Sequence, residues 1–317
     1  AVPDAVEREV RALDRQPAEA EPLATTTRDR TDLGHRVDAL ETWIKYEHTK
    51  YYMRAMALYM RRYGVIETLP AAPAEMTAEQ RAGFAMDGAA ALQAGYLNAA
   101  YPPQYQDIYT DFDLETFQRV WRGEPAASDD DRQCQIDFAL LHGPTDQAMQ
   151  RFVGDHVAPG GRVAVVGSRG PVYEALCLSL GAQPTTIRRT PVVNRAKALS
   201  ATTFADWEKS PSVFDAAIAV GVVEQAGLGM HGEAVDHQGD MKLMAMMRRM
   251  VKPGGHLFLV LPTGPDAAIF NAARVYGTAR LPRLLEGWIV KDRHRQQEAL
   301  LHGRGEDRSL FVLVNAA

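Results

Sequence analysis

Only two cysteines, Cys134 and Cys177, occur in 317 residues, too few for a disulfide framework or, by themselves, a zinc site. No apolar run approaches the roughly 20 residues of a membrane-spanning helix; stretches such as Leu257–Pro262 stop far short. An excess of basic charge is missing too. Against 35 Lys+Arg stand 40 Asp+Glu, a formal net charge of −5, which argues against a nucleic-acid partner held by bulk positive charge. Internal repeats and low-complexity tracts are also lacking. What is present is a globular composition, 46% hydrophobic and 24% charged, long enough for one large or two modest domains. A reducing, cytoplasmic setting is expected, with a leader or anchor upstream of Ala1 left open because the chain does not start with Met.

The chain changes character near residue 160. Residues 1–31, rich in Ala, Glu, Pro and Thr, are expected to form a flexible arm. From Asp32, Val37, Leu40, Ile44, Tyr51, Ala55 and Leu58 recur at helical steps, and Gly64 is placed to end the helix. Trp43, Tyr46, His48, Tyr51, Tyr52, Tyr59 and Tyr63 crowd that helix, either as a roof over a ligand cleft or as the seam of a homodimer through residues 32–63. Thr77-Ala-Glu-Gln80 reads as a capping box opening a helix through Ala89–Ala94. Leu114–Trp121 suggests a further short helix, and Gly123–Asp131 the domain boundary. Residues 32–130 are therefore expected to be a helical cap or oligomerisation region, and residues 131–317 the main domain.

The second half alternates. Arg162–Val166, Thr185–Ile187, Phe214–Val220, His256–Leu261, Trp288–Val290 and Ser309–Val314 read as strands. Helices are expected at Val172–Leu180 and Asp240–Val251, with a tight turn at Lys252–Gly255. This pattern implies an α/β domain with a mostly parallel sheet and an antiparallel last strand, which too few residues precede for a helical crossover. Gly167-Ser-Arg-Gly170 follows the first strand, at the edge where such sheets bind nucleotide-like ligands. Its G-x-x-G spacing does not support a dinucleotide cradle; alone it is equally a plain strand-to-helix turn.

Several groups could carry chemistry. Glu224, Glu233, Asp236 and Asp240, with His231 and His237, make an acidic cluster after the Phe214–Val220 strand. It is either a divalent-metal site or a set of acceptors for substrate; its spacing matches no strong metal motif, so substrate contact is favoured and no metal is expected. His231 is either a base suited to neutral pH or a solvated loop residue. Asp240, Leu243, Met244, Met247, Met250 and Val251 share one helical stripe, which should face the sheet and place Asp240 at its upper rim. Arg274 is either an anchor for a substrate anion or the partner of Glu286.

The run Met250–Pro262, with its K-P-G-G turn and following strand, resembles class I S-adenosylmethionine-dependent methyltransferases. Within that fold, Glu224–Asp240 is similar to the E-H-x-G-L-G-R-Y-G-D-x-x-D-x-x-G-D signature of a domain-of-unknown-function family first described from nematodes. Gly167–Ala175 resembles its G-S-x-x-P-W-x-E-A turn, and Asn271–Gly277 with Arg280–Pro282 its N-A-H-R-x-Y-G and R-L-P runs. The resemblance spans Arg162 to Trp288. It implies a Rossmann-like methyltransferase domain, with S-adenosylmethionine held by Gly167, Ser168, Arg169, Gly170, Tyr173, Glu174, Arg188, Gly221 and Val222. Catalysis is expected from His231, Asp240 and Glu224, and small-molecule substrate contact from Gln225, Leu228, Asn271, Arg274 and Tyr276.

Departures accompany the match. Gln225 and Ala273 stand where the family has His, and His231 where it has Tyr. The second strand ends in Thr186-Ile-Arg-Arg-Thr190, without the carboxylate that methyltransferases commonly use for the ribose hydroxyls. The expected activity is O- or N-methylation of a small molecule. Its rivals are a non-catalytic scaffold and a fold relative performing metal-assisted isomerisation or cyclisation.

Overall fold

A computed structural model describes residues 76–93, 108–125, 127, 144–168, 170–229, 234–269, 273–297 and 307–316. The arm at 1–31 and the aromatic helix expected from Asp32 lie outside the described residues. Thr77 caps α1 (Ala78–Ala85) through the anticipated box: Gln80 N–H donates to Thr77 Oγ1 at 3.2 Å, and Thr77 N–H to Gln80 Oε1 at 2.9 Å. The helix does not continue to Ala94. Met86 and Asp87 take left-handed φ values of 50° and 54°, and the chain re-emerges as β1 (Ala91–Gln93), paired with residues 267–269. Here backbone pairing overrides the helix propensity of alanine.

β2 (Ile108–Tyr109) leads into α2 (Asp111–Arg122), capped by Thr110 and stopped by Gly123 at φ 67°. Then come α3 (Pro144–His156), β3 (Arg162–Val166), α4 (Val172–Ser179), β4 (Gln183–Arg188), β5 (Val193–Asn194) and β6 (Ser200–Thr203). They are followed by α5 (Phe204–Lys209), β7 (Phe214–Val220), α6 (Gly239–Met250), β8 (Val251–Thr263), β9 (Ala267–Ile269) and β10 (Ala273–Val275). The chain closes with α7 (Leu281–Leu284), β11 (Trp288–Gln297) and β12 (Asp307–Asn315).

Seven strands form one sheet in the order β11-β12-β8-β7-β3-β4-β6. From β8 to β6 neighbours run parallel, while β12 enters antiparallel between β8 and β11. This is the expected α/β, Rossmann-like arrangement, mostly parallel with an antiparallel last strand. Lys252–Gly255 bulges from β8: Val251 pairs with Phe214, yet His256 already pairs with Ala216. The order reverses at β3, from which the chain winds out through β4 and β6 and then returns to β7 on the other side.

Apolar layers cover both faces. Leu243, Met244, Met247 and Met250 of α6 pack with Ala217, Leu257 and Leu259 on one face. On the other, Tyr109, Leu114 and Trp121 join Val163, Leu176 and Phe258, and Trp121 Nε1 donates to Val172 O at 2.8 Å. Each such large apolar side chain contributes roughly 1.5–3 kcal/mol by leaving water. Tyr109, Leu114 and Trp121, which precede Gly123, thus share the core of the sheet domain. No helix among the described residues is long and apolar enough to cross a membrane.

Candidate functional site

The turn after β3 is zipped onto the end of β4 by Gly167 N–H, which donates to Ile187 O at 3.0 Å. Gly167 sits at φ 77°, and a Cβ there would lie 2.5 Å from Val222 Cγ2. The turns after β3 and β7 therefore touch, and Val222 closes that side of Gly167. Gly170 and Gly221 are different: a Cβ on either would meet nothing within 4 Å. Open backbone thus flanks the point where the strand order reverses, the place where a parallel sheet takes its ligand. The turn is pinned from below, since Tyr109 Oη donates to Ser168 O at 2.9 Å. Arg169 lies outside the described residues.

Ser168, Tyr173 and Glu174 face inward. Ser168 Oγ donates to Gly170 O and, at 3.2 Å, to Glu174 Oε2, while Thr186 Oγ1 donates to Glu174 Oε1 at 2.6 Å. Glu174 is fully buried, so its carboxyl ties turn, helix and strand together. Burial pushes it up to about 7, against the hydrogen bonds from Thr186 and Ser168 and the charge of Arg188. Tyr173 Oη donates to Asp146 Oδ1 at 2.8 Å, and burial, then Asp146, holds this phenol well above its ordinary range. Arg188, half-buried, ends β4 beside the glycine turn.

The loop from β7 to α6 is built on close backbone contacts. Gly227 lies at φ 75°, where a Cβ would stand 2.2 Å from Asp236 O; one on Gly239 would stand 2.7 Å from Ala226 O. Asp236 N–H donates to Gly227 O at 2.8 Å. Leu228, expected to touch substrate, is instead core, buried with Met76, Phe84 and Ala268. Gln225 is half-buried, and its carbonyl accepts from Leu228 N–H at 3.2 Å. His231, Glu233 and Asn271 lie outside the described residues.

Asp240, expected at the rim, is fully buried. Arg280 Nε donates to its Oδ2 at 2.8 Å and Nη2 to its Oδ1 at 2.6 Å; Tyr276 Oη donates to Oδ2 at 3.1 Å. Burial, then Asp240, holds the Tyr276 phenol well above its ordinary range. Arg274 pairs with no Glu286. Its Nη1 donates to Ala226 O at 2.6 Å and its Nη2 to Asp236 O at 3.2 Å, with the guanidinium 5.3 Å from the Phe84 ring centre. Buried carbonyls require donors, and Arg274 supplies them, which is why it does not stand free for a substrate anion. The acidic cluster thereby separates: Asp236 holds Lys242 at 2.6 Å and Asp240 holds Arg280.

Glu224 is the exception. It is buried, its Oε2 has no hydrogen-bond partner among the described residues, and burial raises its carboxyl to about 7 despite the charges of Arg308 and Arg274. Arg280 and Asp266 were absent from the residues expected at the site. Asp266 accepts from the N–H groups of Gly277, Ala279 and Arg280 at 2.7–3.0 Å. Its only sequence signal was the Gly264-Pro-Asp266 turn chemistry.

Residues 161–301 match a family described as "Caenorhabditis protein of unknown function, DUF268". No curated protein matches the chain. Among solved structures, an S-adenosylmethionine-dependent methyltransferase from Methanosarcina mazei is 14% identical, covering 52% of this chain and 96% of its own, with a TM-score of 0.37. The N-methyltransferase NodS from Bradyrhizobium japonicum, in complex with S-adenosyl-L-homocysteine, is 16% identical over 65% and 99%, TM-score 0.39. The 1,6-didemethyltoxoflavin-N1-methyltransferase of Burkholderia thailandensis, bound to 1,6-didemethyltoxoflavin and S-adenosylhomocysteine, is 14% identical over 70% and 99%, TM-score 0.40. Likeness at this level passes no substrate or reaction to this chain.

Proposed function

We propose that this chain is an S-adenosylmethionine-dependent methyltransferase acting on a small molecule by O- or N-methylation. The observation that carries this reading is the open backbone at Gly170 and Gly221, on either side of the strand-order reversal. Open backbone of this kind lets a compact adenosyl ligand approach closely, with the β3 turn and Gly221 as its neighbours. The ribose position fits less well. β4 ends in Arg188, and both oxygens of the nearby Glu174 carboxyl already accept hydrogen bonds inside the protein. Held there, the cofactor would supply a methyl group on a positively charged sulfur. The chain's own part is to orient the acceptor and take up its proton, with His231 and Glu224 as the candidates.

Calorimetry with S-adenosylmethionine and S-adenosylhomocysteine tests the reading. Saturable binding that is weakened by a side chain at Gly170 supports it. The occupied Glu174 favours a second reading, a non-catalytic scaffold on the same fold, which would give no heat at millimolar ligand. His231→Ala separates the two candidates: turnover lowered far more than cofactor affinity would make His231 the base, and intact turnover removes it.

A further inference from the structure

We propose that Glu224, rather than His231, accepts the proton of the methyl acceptor. The proposal rests on the methyltransferase reading above. Every other described carboxylate of the loop is engaged: Asp236 with Lys242, Asp240 with Arg280 and Tyr276. Among the described residues of the loop, Glu224 is the one whose carboxyl keeps a buried oxygen, Oε2, that receives no hydrogen bond. Buried polar atoms are nearly always satisfied, so an orphan at the ligand edge of a sheet points to a partner that arrives with the ligand.

Its placement agrees. Glu224 follows the Gly221–Val222 turn, whose Val222 side chain touches Gly167, so it belongs to the same edge as the glycine turn. Its backbone is held rigidly, because Arg274 N–H donates to Glu224 O at 3.0 Å. The ionisable groups acting on it are Arg274 beside it, Arg308 from β12 and the Tyr276 hydroxyl following β10. None of them donates to Oε2. Burial lifts the carboxyl to about 7, which brings its proton affinity close to that of thiols, phenols and ammonium groups, at about 8.5, 10 and 10.4.

In the step, the acceptor's X–H bond breaks and its proton passes to Glu224 Oε2. The acceptor's electron pair forms the bond to the methyl carbon, and the carbon–sulfur pair returns to sulfur, leaving neutral S-adenosylhomocysteine.

The test compares S-adenosylmethionine, whose sulfur is positive, with S-adenosylhomocysteine, whose sulfur is neutral, by calorimetry on the full chain at pH 6 and 8.5. As Glu224 ionises, the preference for the cation should grow by up to about tenfold. Glu224→Gln should leave the preference flat, while Glu224→Asp and His231→Ala should keep the rise. A flat preference in the wild type, or one that survives Glu224→Gln and disappears in His231→Ala, overturns the proposal. If neither ligand binds, the methyltransferase reading itself fails.

Discussion

Asp240 and Arg280 form a buried ion pair closed by two parallel hydrogen bonds, 2.8 and 2.6 Å long. The same guanidinium reaches His237 O at 2.6 Å, while Arg274 holds Ala226 O and Asp236 O. Arg274 of β10 and Arg280 after it therefore clamp the β7–α6 loop near both of its ends. The motif residues that suggested a ligand rim are the ones that keep the rim in place.

Breaking this clamp should unfold the site. Arg280→Ala strips the buried Asp240 of its two-pronged partner and leaves it Arg274 Nε at 3.7 Å and the Tyr276 hydroxyl, which costs about 3 kcal/mol. Arg280→Lys keeps the charge but loses the two-pronged geometry, so its cost should fall between wild type and alanine. Urea unfolding measures both. An alanine variant within about 1 kcal/mol of wild type would show that the pair does not hold the loop.

Two glycines of similar sequence appearance should behave oppositely. Gly227→Ala forces a Cβ to 2.2 Å from a backbone oxygen at φ 75° and should cost at least about 2 kcal/mol. Gly170→Ala meets empty space, so stability should stay within about 0.5 kcal/mol of wild type. Its effect should appear in S-adenosylhomocysteine affinity, lowered about tenfold or more, or 1.4 kcal/mol in binding. Unchanged affinity would place the ligand elsewhere.

The sheet was legible because its strands carry strong local signals. Phe214–Val220 begins and ends as expected, and the methionines of α6 face the sheet as their spacing required. Elements without such signals were missed. β6 reads Ser-Ala-Thr-Thr and is exposed or half-buried throughout, and β1 looks helical until its pairing with β9 is known. In the β7–α6 loop, the sequence marked the polar residues but not the contacts they make. Whether Asp240 meets solvent or Arg280 depends on a contact across 40 residues, and no local pattern encodes that.

Glu174 should give stability an unusual pH dependence. Burial raises its carboxyl from 4.5 to about 7, so its contribution is complete below about 4.5 and is lost as pH rises through 7. A shift of that size bounds the loss at roughly 3 kcal/mol by pH 8. Glu174→Gln cannot ionise, so between pH 5 and 8 its stability relative to wild type should climb. Parallel stability curves would mean that Glu174 is ionised in its pocket without penalty.

At the other edge of the sheet, His156 and His256 stack with ring centres 4.7 Å apart and planes 7° from parallel. Burial depresses both: His156 further through Lys291, and His256, to about 4, through His156, Lys291 and Lys252. Asp155 and Asp292 oppose this at His156. For a base held below its unfolded value of 6.5, stability is complete above that pH and drains away as pH falls towards 4. Carboxylates titrate in the same window, so the comparison must be with His256→Phe, whose ring can still stack but never charges. The stability of wild type minus that of the variant should decline steadily from pH 7 to 4. A constant difference would mean that the two imidazoles separate on protonation at no cost, and that their stacking does not hold β8 against α3.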